Sequence, residues 1–308
     1  MLGRIAGAVR FSEPLSFHTS LRIGGPAEFL IMPQDLDDVR YALAFAEQEG
    51  LPLIVIGGGN NLLVSGRGLS AVVVKLQGIL SRADFAGDEV AVGAGMPLTG
   101  LIREAAAMGL GGIEFLAGIP ATVGGALAGK VRTHEGSLLE HCRAIYFLHR
   151  DGSLGEHRPT GSAYGTSFDP PAGSIIVGCR LQLERRPAQS VQKALQHRLK
   201  AWKEAQPFAL ATGGHIWKDP PGHRASRLIE MVGLRGKRVN GAEIPWKSAN
   251  VIINRGGATD QDVLALMEMS RERVETRLGI TLQPEIKLLG FPASAPFERA
   301  PLEMTAAH

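Results

Sequence analysis

The spacing of apolar and polar residues predicts an α/β arrangement in the first half of the chain. Residues 35–49 predict an amphipathic helix that Gly50 ends. Its apolar side consists of Leu36, Val39, Leu43 and Ala46. Short apolar runs predict strands at 53–56, 71–76, 89–95, 143–152 and 174–185. A second helix is predicted over 97–110, with Pro97 near its first turn.

The second half has its own set of elements and begins with a charged helix over 188–204, after Pro187. We therefore set a domain boundary at 184–190. A short helix follows at 224–234 and a strand at 248–257. A strand at 280–290 would carry Glu285. The tail at 293–308 lacks a periodic pattern, and we expect it to be poorly ordered.

Residues 258–279 form the clearest helical pattern in the chain. Thr259 is the expected N-cap, Asp262 completes a variant of the capping box, and Gly279 is the expected stop. The predicted buried stripe is Val263, Met267, Val274 and Leu278.

Composition narrows the class of protein. The 308 residues carry a net charge of +3, with Lys and Arg scattered rather than clustered, which argues against nucleic acid as a partner. The two cysteines form no ligand pattern, so we predict neither a metal site nor a disulfide. No apolar run approaches the length of a membrane span, and the first residues do not form a signal peptide. We therefore expect a cytoplasmic protein that does not bind membranes.

Two glycine-rich segments are candidates for ligand binding. The first, VIGGGNNLLV at 55–64, follows a predicted buried strand and contains three consecutive glycines. Such a loop can turn several backbone N–H groups toward one anion, so it favours a phosphate or diphosphate. It lacks the Lys and Ser/Thr of a Walker loop and does not match a Rossmann fingerprint. The alternative is a plain tight turn.

The second segment spans 112–129, where Pro120 stiffens the loop and Gly124 and Gly125 allow close approach of the backbone. Two such loops without a nucleoside-triphosphate motif suit a large diphosphate ligand such as FAD. The alternative is a connection that is rich in glycine for packing reasons alone.

Seven segments of the chain together form a recognisable pattern over about residues 17–290. In chain order they are HTSLRIGGPAEFLIMP, VIGGGNNLLV, GIEFLAGIPATVGGA, GHIWKDP, LIEMVGLRGKRVNGAEI, SANVIINRGGATDQDV and GITLQPEIKLLG. With these segments in this order, the chain resembles the UDP-N-acetylenolpyruvoylglucosamine reductase family (UDP-N-acetylmuramate dehydrogenase), in its shorter subtype.

The resemblance implies an α+β fold with a FAD-binding domain of the vanillyl-alcohol-oxidase/p-cresol-methylhydroxylase type. We expect this domain at 1–186, in two α+β subdomains of roughly 1–78 and 79–186. A C-terminal α+β substrate-binding domain would occupy 187–292, followed by the tail at 293–308. A monomer is expected.

The family reaction implied here is reduction of UDP-N-acetylglucosamine enolpyruvate to UDP-N-acetylmuramate, with FAD as cofactor and NADPH as reductant. The residues that correspond to cofactor contacts are Gly57, Gly58, Gly59, Asn60, Asn61, Leu62, Gly118, Ile119, Pro120, Thr122, Val123, Gly124 and Gly125. Those that correspond to substrate contacts are Tyr164, Lys218 and Asn250, and the expected catalytic residues are Glu285 and His215.

Several residues depart from the family pattern. His215 stands where the family has a proton-donating Ser or Cys, and Gly165 stands where it has an Arg that steadies developing negative charge. Lys130, Val131 and Arg132 replace a usual Asn-Ala-Gly segment. Further differences are Ala121 for Gly, Ser248 for His and Asp219 for Asn.

These departures leave alternative hypotheses. Imidazole exchanges protons near neutral pH and is a better donor there than a hydroxyl, so His215 with Glu285 could sustain catalysis. The other interpretation of His215 is a turn residue without a catalytic role. Loss of the family Arg typically costs about 3–4 kcal/mol of transition-state stabilisation, and Arg132 is a candidate replacement for that lost cation.

The alternative function is a catalytically impaired paralogue that binds flavin or UDP-sugar without turnover. A flavin oxidase of the same superfamily is a third hypothesis.

Overall fold

The structure is a computed structural model, which describes residues 1–159, 168–205, 210–292, 297 and 305–307. The helices are α1 Leu36–Gln48, α2 Leu98–Ala107, α3 Val123–Ala128, α4 Ala188–Ala205, α5 Ala225–Met231 and α6 Asp260–Leu278. The strands of the N-terminal part are β1 Ala8–Pro14, β2 Pro26–Met32, β3 Leu53–Ile56, β4 Leu62–Val64 and β5 Leu69–Val74.

The remaining strands fall into the middle and the C-terminal part of the chain. In the middle they are β6 Ala83–Ala86, β7 Glu89–Gly93, β8 Leu110–Gly111, β9 Arg132–Thr133, β10 Gly136–Ser137, β11 Cys142–Leu148, β12 Leu154–His157, β13 Ile175–Gln182 and β14 Glu184–Arg185. In the C-terminal part they are β15 Ala211–His215, β16 Arg238–Val239, β17 Ala242–Glu243, β18 Val251–Asn254, β19 Lys287–Leu289 and β20 Thr305–Ala307.

The first sheet has the strand order β1-β2-β5-β3-β20, and all its pairs except β1–β2 are parallel. Both faces of this sheet are buried, which explains why the sequences of its central strands are uninterrupted apolar runs. Leu53, Val72 and Val74 face one buried cluster. The alternate positions Ile54 and Val73 face another, as the two-residue period of a strand requires.

The second sheet is antiparallel throughout, in the order β12-β11-β13-β7-β6. Its inner residues share the largest apolar cluster with α1, α2 and α3. Helix α4 also packs into this cluster through Val191 and Leu195 and contacts α2. The helix that follows the predicted boundary at 184–190 therefore rests against the first part of the chain, and the boundary itself stays a prediction.

The C-terminal part contains the four-stranded sheet β15-β18-β17-β16 together with α5 and α6. Helix α6 has the predicted ends: Thr259 and Asp262 form the capping box, and Gly279 ends the helix at φ 68°. Val263, Met267 and Val274 are buried as predicted, and Leu278 is partly buried at the edge of the same cluster.

Two expectations for the C-terminal segments differ from the structure. The strand predicted over 280–290 is confined to β19, so Glu285 lies before the strand in an extended connection. Pro284 lies directly before Glu285 and cannot donate a backbone hydrogen bond, which limits regular pairing there. The tail lies mostly outside the described residues, but Thr305–Ala307 pair with β3 as a parallel strand.

Candidate functional site

A cavity of about 340 Å³ lies where the two five-stranded sheets meet. Its walls come from the carboxyl ends of β3, β5 and β7, from the start of β13, and from the N-terminal part of α3. Carboxyl ends of parallel strands are the usual ligand edge of a sheet, since loops there can approach a ligand without interrupting the pairing. A cavity of this size is in the range of small-molecule sites.

The first glycine loop forms one wall of the cavity through Gly57 and Gly58. A Cβ on Gly57 would lie 2.7 Å from Thr122 Oγ1, and a Cβ on Gly58 would lie 2.3 Å from Asn60 Nδ2. Gly59 has φ 67°, and a Cβ there would meet the His18 carbonyl oxygen at 2.1 Å. A side chain is therefore excluded at Gly59 by backbone, whereas side chains at Gly57 and Gly58 would have to displace Thr122 or Asn60. With glycine at 57 and 58, the main chain itself forms this wall of the cavity.

The second glycine loop forms an adjoining wall through Thr122, Gly124 and Gly125. Thr122 Oγ1 caps α3 by accepting a hydrogen bond from Gly125 N (3.1 Å). The Val123 and Gly124 N–H groups donate to the carbonyl oxygens of Met96 (2.8 Å) and Ala94 (2.7 Å). These backbone donors are occupied within the protein, so this loop contributes shape and close approach rather than an anion nest.

Lys75 lines the same cavity and was not among the predicted site residues. It follows β5, and its side chain is half-buried. Burial lowers the pKa of its ammonium group from the ordinary value of 10.5. The sequence does contain a signal for this residue, because a lysine ends the otherwise buried run AVVV at the ligand edge of the sheet.

Asn250 is hydrogen-bonded to the segment that contains His215 and Trp217. Asn250 is 4% exposed, its Oδ1 accepts from Trp217 N (2.9 Å), and its Nδ2 donates to Trp217 O (2.8 Å). His215 pairs with Val251 at the end of β15, and its side chain is exposed. Because the Asn250 amide is hydrogen-bonded to the Trp217 backbone, it positions this segment. The expected contact of Asn250 with substrate stays a prediction.

Glu285 lies beside both the His215 segment and the first glycine loop. Its backbone N–H donates to Ile216 O (2.8 Å), and its carbonyl oxygen accepts from Asn61 Nδ2 (3.2 Å). Lys287 N donates to Asn61 O (3.0 Å), which continues the parallel pairing of β19 with β4. The fold thus brings Glu285 into contact with Ile216, the residue after His215, although Glu285 and His215 are 70 positions apart in sequence.

Lys218 and Asp219 follow in the same segment. The Lys218 side chain is exposed, and its backbone N–H donates to Gln283 O (2.9 Å). Asp219 Oδ1 accepts from Ala225 N (2.8 Å) at the start of α5, so this carboxylate fixes the loop to the helix.

The cations that replace the usual Asn-Ala-Gly segment are engaged in surface ion pairs. Lys130 Nζ lies 2.5 Å from Asp169 Oδ1, and Arg132 Nη1 lies 3.0 Å from Glu140 Oε1. Lys130 has φ 50°, directly after α3 and two residues beyond the cavity-lining Ala128. The structure therefore ties these residues to carboxylates next to the cavity, not within it.

The predicted cofactor contacts divide into two groups. Gly57, Gly58, Thr122, Gly124 and Gly125 line the cavity. The rest do not: Gly59, Asn60, Asn61, Leu62, Gly118, Ile119, Pro120 and Val123. Leu62 and Val123 are fully buried in apolar clusters. Gly118 has φ 92°, and a Cβ there would collide with the Trp202 ring. Packing alone therefore accounts for a glycine at this position. Tyr164 and Gly165 lie outside the described residues.

The arrangement suits proton transfer beside a bound ligand. Glu285 and His215 are both exposed, and the Glu285 backbone contacts the residue after His215. A carboxylate and an imidazole are the side chains that most often exchange protons with a bound ligand. In the described part of the chain, no cluster of His, Cys, Asp and Glu is suited to a metal ion. None of the described helices is long and apolar enough to span a bilayer.

Comparison with protein families gives two matches that together cover most of the chain. Residues 27–156 match a FAD binding domain. Residues 206–289 match the C-terminal domain of UDP-N-acetylenolpyruvoylglucosamine reductase.

Full-length relatives agree with these matches. UDP-N-acetylenolpyruvoylglucosamine reductase of Geobacter metallireducens is 38% identical over 93% of this chain and 95% of its own length. The Moorella thermoacetica protein of the same name is 40% identical over 91% of this chain and 92% of its own. Among solved structures, UDP-N-acetylenolpyruvylglucosamine reductase of Thermus caldophilus superposes with a TM-score of 0.76 at 32% identity, covering 92% of this chain and 99% of that one.

Proposed function

The chain belongs to the UDP-N-acetylenolpyruvoylglucosamine reductase family, and we propose that it catalyses that family's reaction. The substrate is UDP-N-acetylglucosamine enolpyruvate, the product is UDP-N-acetylmuramate for peptidoglycan synthesis, and NADPH is the reductant. The fold class predicted from the sequence is confirmed: a FAD-binding domain with a C-terminal α+β domain. The observation that carries the proposal is the meeting of Glu285, Ile216 and Asn61 beside the glycine-lined cavity.

The cavity residues fit FAD. Gly57 and Gly58 line the cavity without a side chain, so a ligand can approach the backbone there. The half-buried ammonium group of Lys75 suits the negative charge of a diphosphate. When bound, FAD supplies hydride transfer from NADPH to the enolpyruvyl double bond.

In this proposal, the chain's own residues complete the reduction with a proton. Either the His215 imidazole or the Glu285 carboxyl group delivers it to the carbon next to the one that receives hydride. The hydrogen bonds of Ile216 and Asn61 with the Glu285 backbone fix the main chain of residue 285 next to the residue that follows His215. The exposed ammonium group of Lys218 follows in the same segment and is the proposed partner of the substrate's diphosphate.

The direct test uses the purified full-length chain. We expect flavin absorption bands in the visible range, bleaching of these bands by NADPH under anaerobic conditions, and their return when the enolpyruvyl sugar nucleotide is added. A protein that carries flavin but is not bleached by NADPH, or that binds no flavin, would contradict the proposed function.

Two substitutions test the proton-transfer roles. We expect His215→Ala and Glu285→Gln each to slow reoxidation by the substrate by about 10²- to 10⁴-fold, the usual contribution of a general acid or base, while bleaching by NADPH is retained. The matched controls are the exposed residues His223 and Glu272, as His223→Ala and Glu272→Gln. If His215→Ala reoxidises at the wild-type rate, His215 is a turn residue and Glu285 acts without it.

We further propose a cytoplasmic monomer that does not bind nucleic acid, on the basis of the family resemblance and the scattered charge of +3. Size-exclusion chromatography with light scattering tests the monomer, and cell fractionation tests the location. A measured mass of a dimer would contradict the monomer, and recovery in the membrane fraction would contradict the cytoplasmic location.

A further inference from the structure

Lys75 is a half-buried cation without a counter-ion in the described part of the chain. It lines the cavity directly after β5, and its backbone N–H donates to Ile31 O (2.9 Å), which fixes the residue against β2. No described residue forms a salt bridge with its ammonium group. Desolvation is the sole cause of its lowered pKa, with no carboxylate acting in the other direction.

An unpaired cation in such a place is costly for the protein alone. Partial burial of a charge without a partner destabilises the folded chain, and methionine or leucine would fill the same space without this penalty. Polar or charged groups that cost stability are common at functional sites, where a ligand compensates for them. The surroundings of Lys75 therefore point to an anionic ligand.

The neighbours of Lys75 in the cavity indicate which part of a ligand it meets. Gly57 and Gly58 also line the cavity, directly after β3, whose Val55 pairs with Val74 beside Lys75. Thr122, whose Oγ1 faces Gly57, connects the first glycine loop to the second one. The cavity wall otherwise consists largely of aliphatic side chains and glycine backbone, such as Val55, Ala94 and Ile176. An open glycine backbone with one ammonium group is a typical phosphate environment.

We propose that the Lys75 ammonium group binds the diphosphate of FAD and is a main determinant of selectivity for FAD over flavins that lack a diphosphate. This inference rests on the proposed function, because it takes FAD as the resident cofactor. Lys75 is a binding residue in this view, remote from the proton transfer assigned to His215 and Glu285.

The test is the affinity of the full-length chain, freed of flavin, for FAD and for riboflavin. We expect Lys75→Met to raise the Kd for FAD by about 10- to 100-fold, the usual effect of losing a charge-assisted hydrogen bond, and to leave the Kd for riboflavin unchanged. Lys75→Arg should retain most of the FAD affinity. Lys193→Met, at an exposed position of α4, is the control for loss of one positive charge.

Salt dependence and thermal stability provide further readouts. FAD affinity of the wild type should fall with added salt more steeply than that of Lys75→Met, since an ion pair has been removed. The flavin-free Lys75→Met protein should melt at the same or a higher temperature than the flavin-free wild type, which separates lost affinity from misfolding.

The outcomes are distinct. An unchanged Kd for FAD in Lys75→Met overturns the inference, as does an equal loss of riboflavin affinity, which would put Lys75 at the flavin ring. If neither protein binds riboflavin, an unchanged salt dependence of FAD binding overturns it. A wild type that binds no FAD overturns the proposed function instead, whereas a wild type that binds FAD and turns over leaves that function standing whatever Lys75→Met does.

Discussion

Asn250 acts on the site through the backbone of a neighbouring segment. Its buried amide donates to and accepts from Trp217, two residues beyond His215. The family resemblance predicts that this side chain contacts substrate, and that contact stays a prediction. Only the packing of β18 under the 214–220 segment shows that the amide replaces a missing pair of backbone hydrogen bonds.

Asn250→Ala tests this positioning role. The substitution leaves the buried N–H and C=O of Trp217 without partners, so we expect the free energy of unfolding to fall by about 2–4 kcal/mol. Turnover should fall as well, because His215 and Lys218 are no longer held in place. Urea unfolding measures the first effect and steady-state kinetics the second. A raised KM for the sugar nucleotide with unchanged stability would assign Asn250 to the substrate instead.

Glu243 is a second buried polar residue, with a side chain that is 3% exposed. It accepts hydrogen bonds from Arg255 and Arg238, one of them from Arg255 Nη2 at 2.9 Å. The Arg255 hydrogen bond, followed by that of Arg238, outweighs the desolvation of the carboxylate and lowers the pKa of Glu243 from its ordinary value of 4.5. The ion pairs therefore connect β17 to β16 and to the loop after β18.

This carboxylate makes stability depend on pH in a defined direction. Because its pKa is lower in the folded than in the unfolded chain, its contribution is complete above about pH 4.5 and is lost as pH falls through the folded-state value. We expect Glu243→Gln to lower the free energy of unfolding by about 2 kcal/mol at neutral pH and by less in acid. Urea unfolding at both pH values, with Glu272→Gln as the exposed control, measures this; an equal loss at both would contradict it.

At the scale of elements, the ends of α6 were predictable and the extent of β19 was not. Thr259, Asp262 and Gly279 act within one turn of the helix, and local hydrogen bonds decide their conformation. The strand at β19 exists because β4 offers it a parallel partner more than 200 residues earlier in the chain. Pairing partners of this kind are absent from a local pattern of apolar residues.

The contact between the two glycine loops is a feature of elements that a substitution can test. Gly57→Ala places a Cβ 2.7 Å from Thr122 Oγ1, which caps α3, so one of the loops must shift. We expect FAD affinity to fall about tenfold and stability to fall by about 1 kcal/mol. Fluorescence titration with FAD and thermal unfolding measure these effects. Gly3→Ala is the control, since a Cβ there has no neighbour within 4 Å; equal effects of both variants would contradict the prediction.

At the scale of the whole molecule, the C-terminal part is joined to the first part by a common core. Leu21, Ile23 and Leu63 belong to the same buried cluster as α5 and α6. Strand β19 completes a pair with β4, and Asn254 Nδ2 donates to Leu21 O (3.0 Å). We therefore expect that the region that matches the C-terminal family domain does not fold independently of the first part.

This predicts one cooperative unfolding transition for the full chain. A fragment of residues 1–205 would expose Leu63 and leave β4 unpaired, and a fragment of 206–308 would lack the N-terminal residues of its core. We expect neither fragment to show a cooperative transition by near-ultraviolet circular dichroism during heating. A sharp transition in the isolated C-terminal fragment would contradict this.

Much of the site was visible in the sequence because it depends on local backbone chemistry. The three glycines at 57–59 and the pair at 124–125 indicated loops that approach a ligand closely, and five of the residues predicted there line the cavity. Lys75 was missed, because a single lysine after an apolar run has no periodicity, and its burial depends on the second sheet.

The sequence by itself determined the helices with strong caps, the buried strands, the positions of both glycine loops and the family resemblance, because each of these depends on neighbours within a few residues. Tertiary structure alone decided that Glu285 lies beside Ile216 and Asn61, that Asn250 supports Trp217, and that Lys75 faces the cavity. These contacts join residues far apart in the chain, and their geometry depends on how whole sheets pack together.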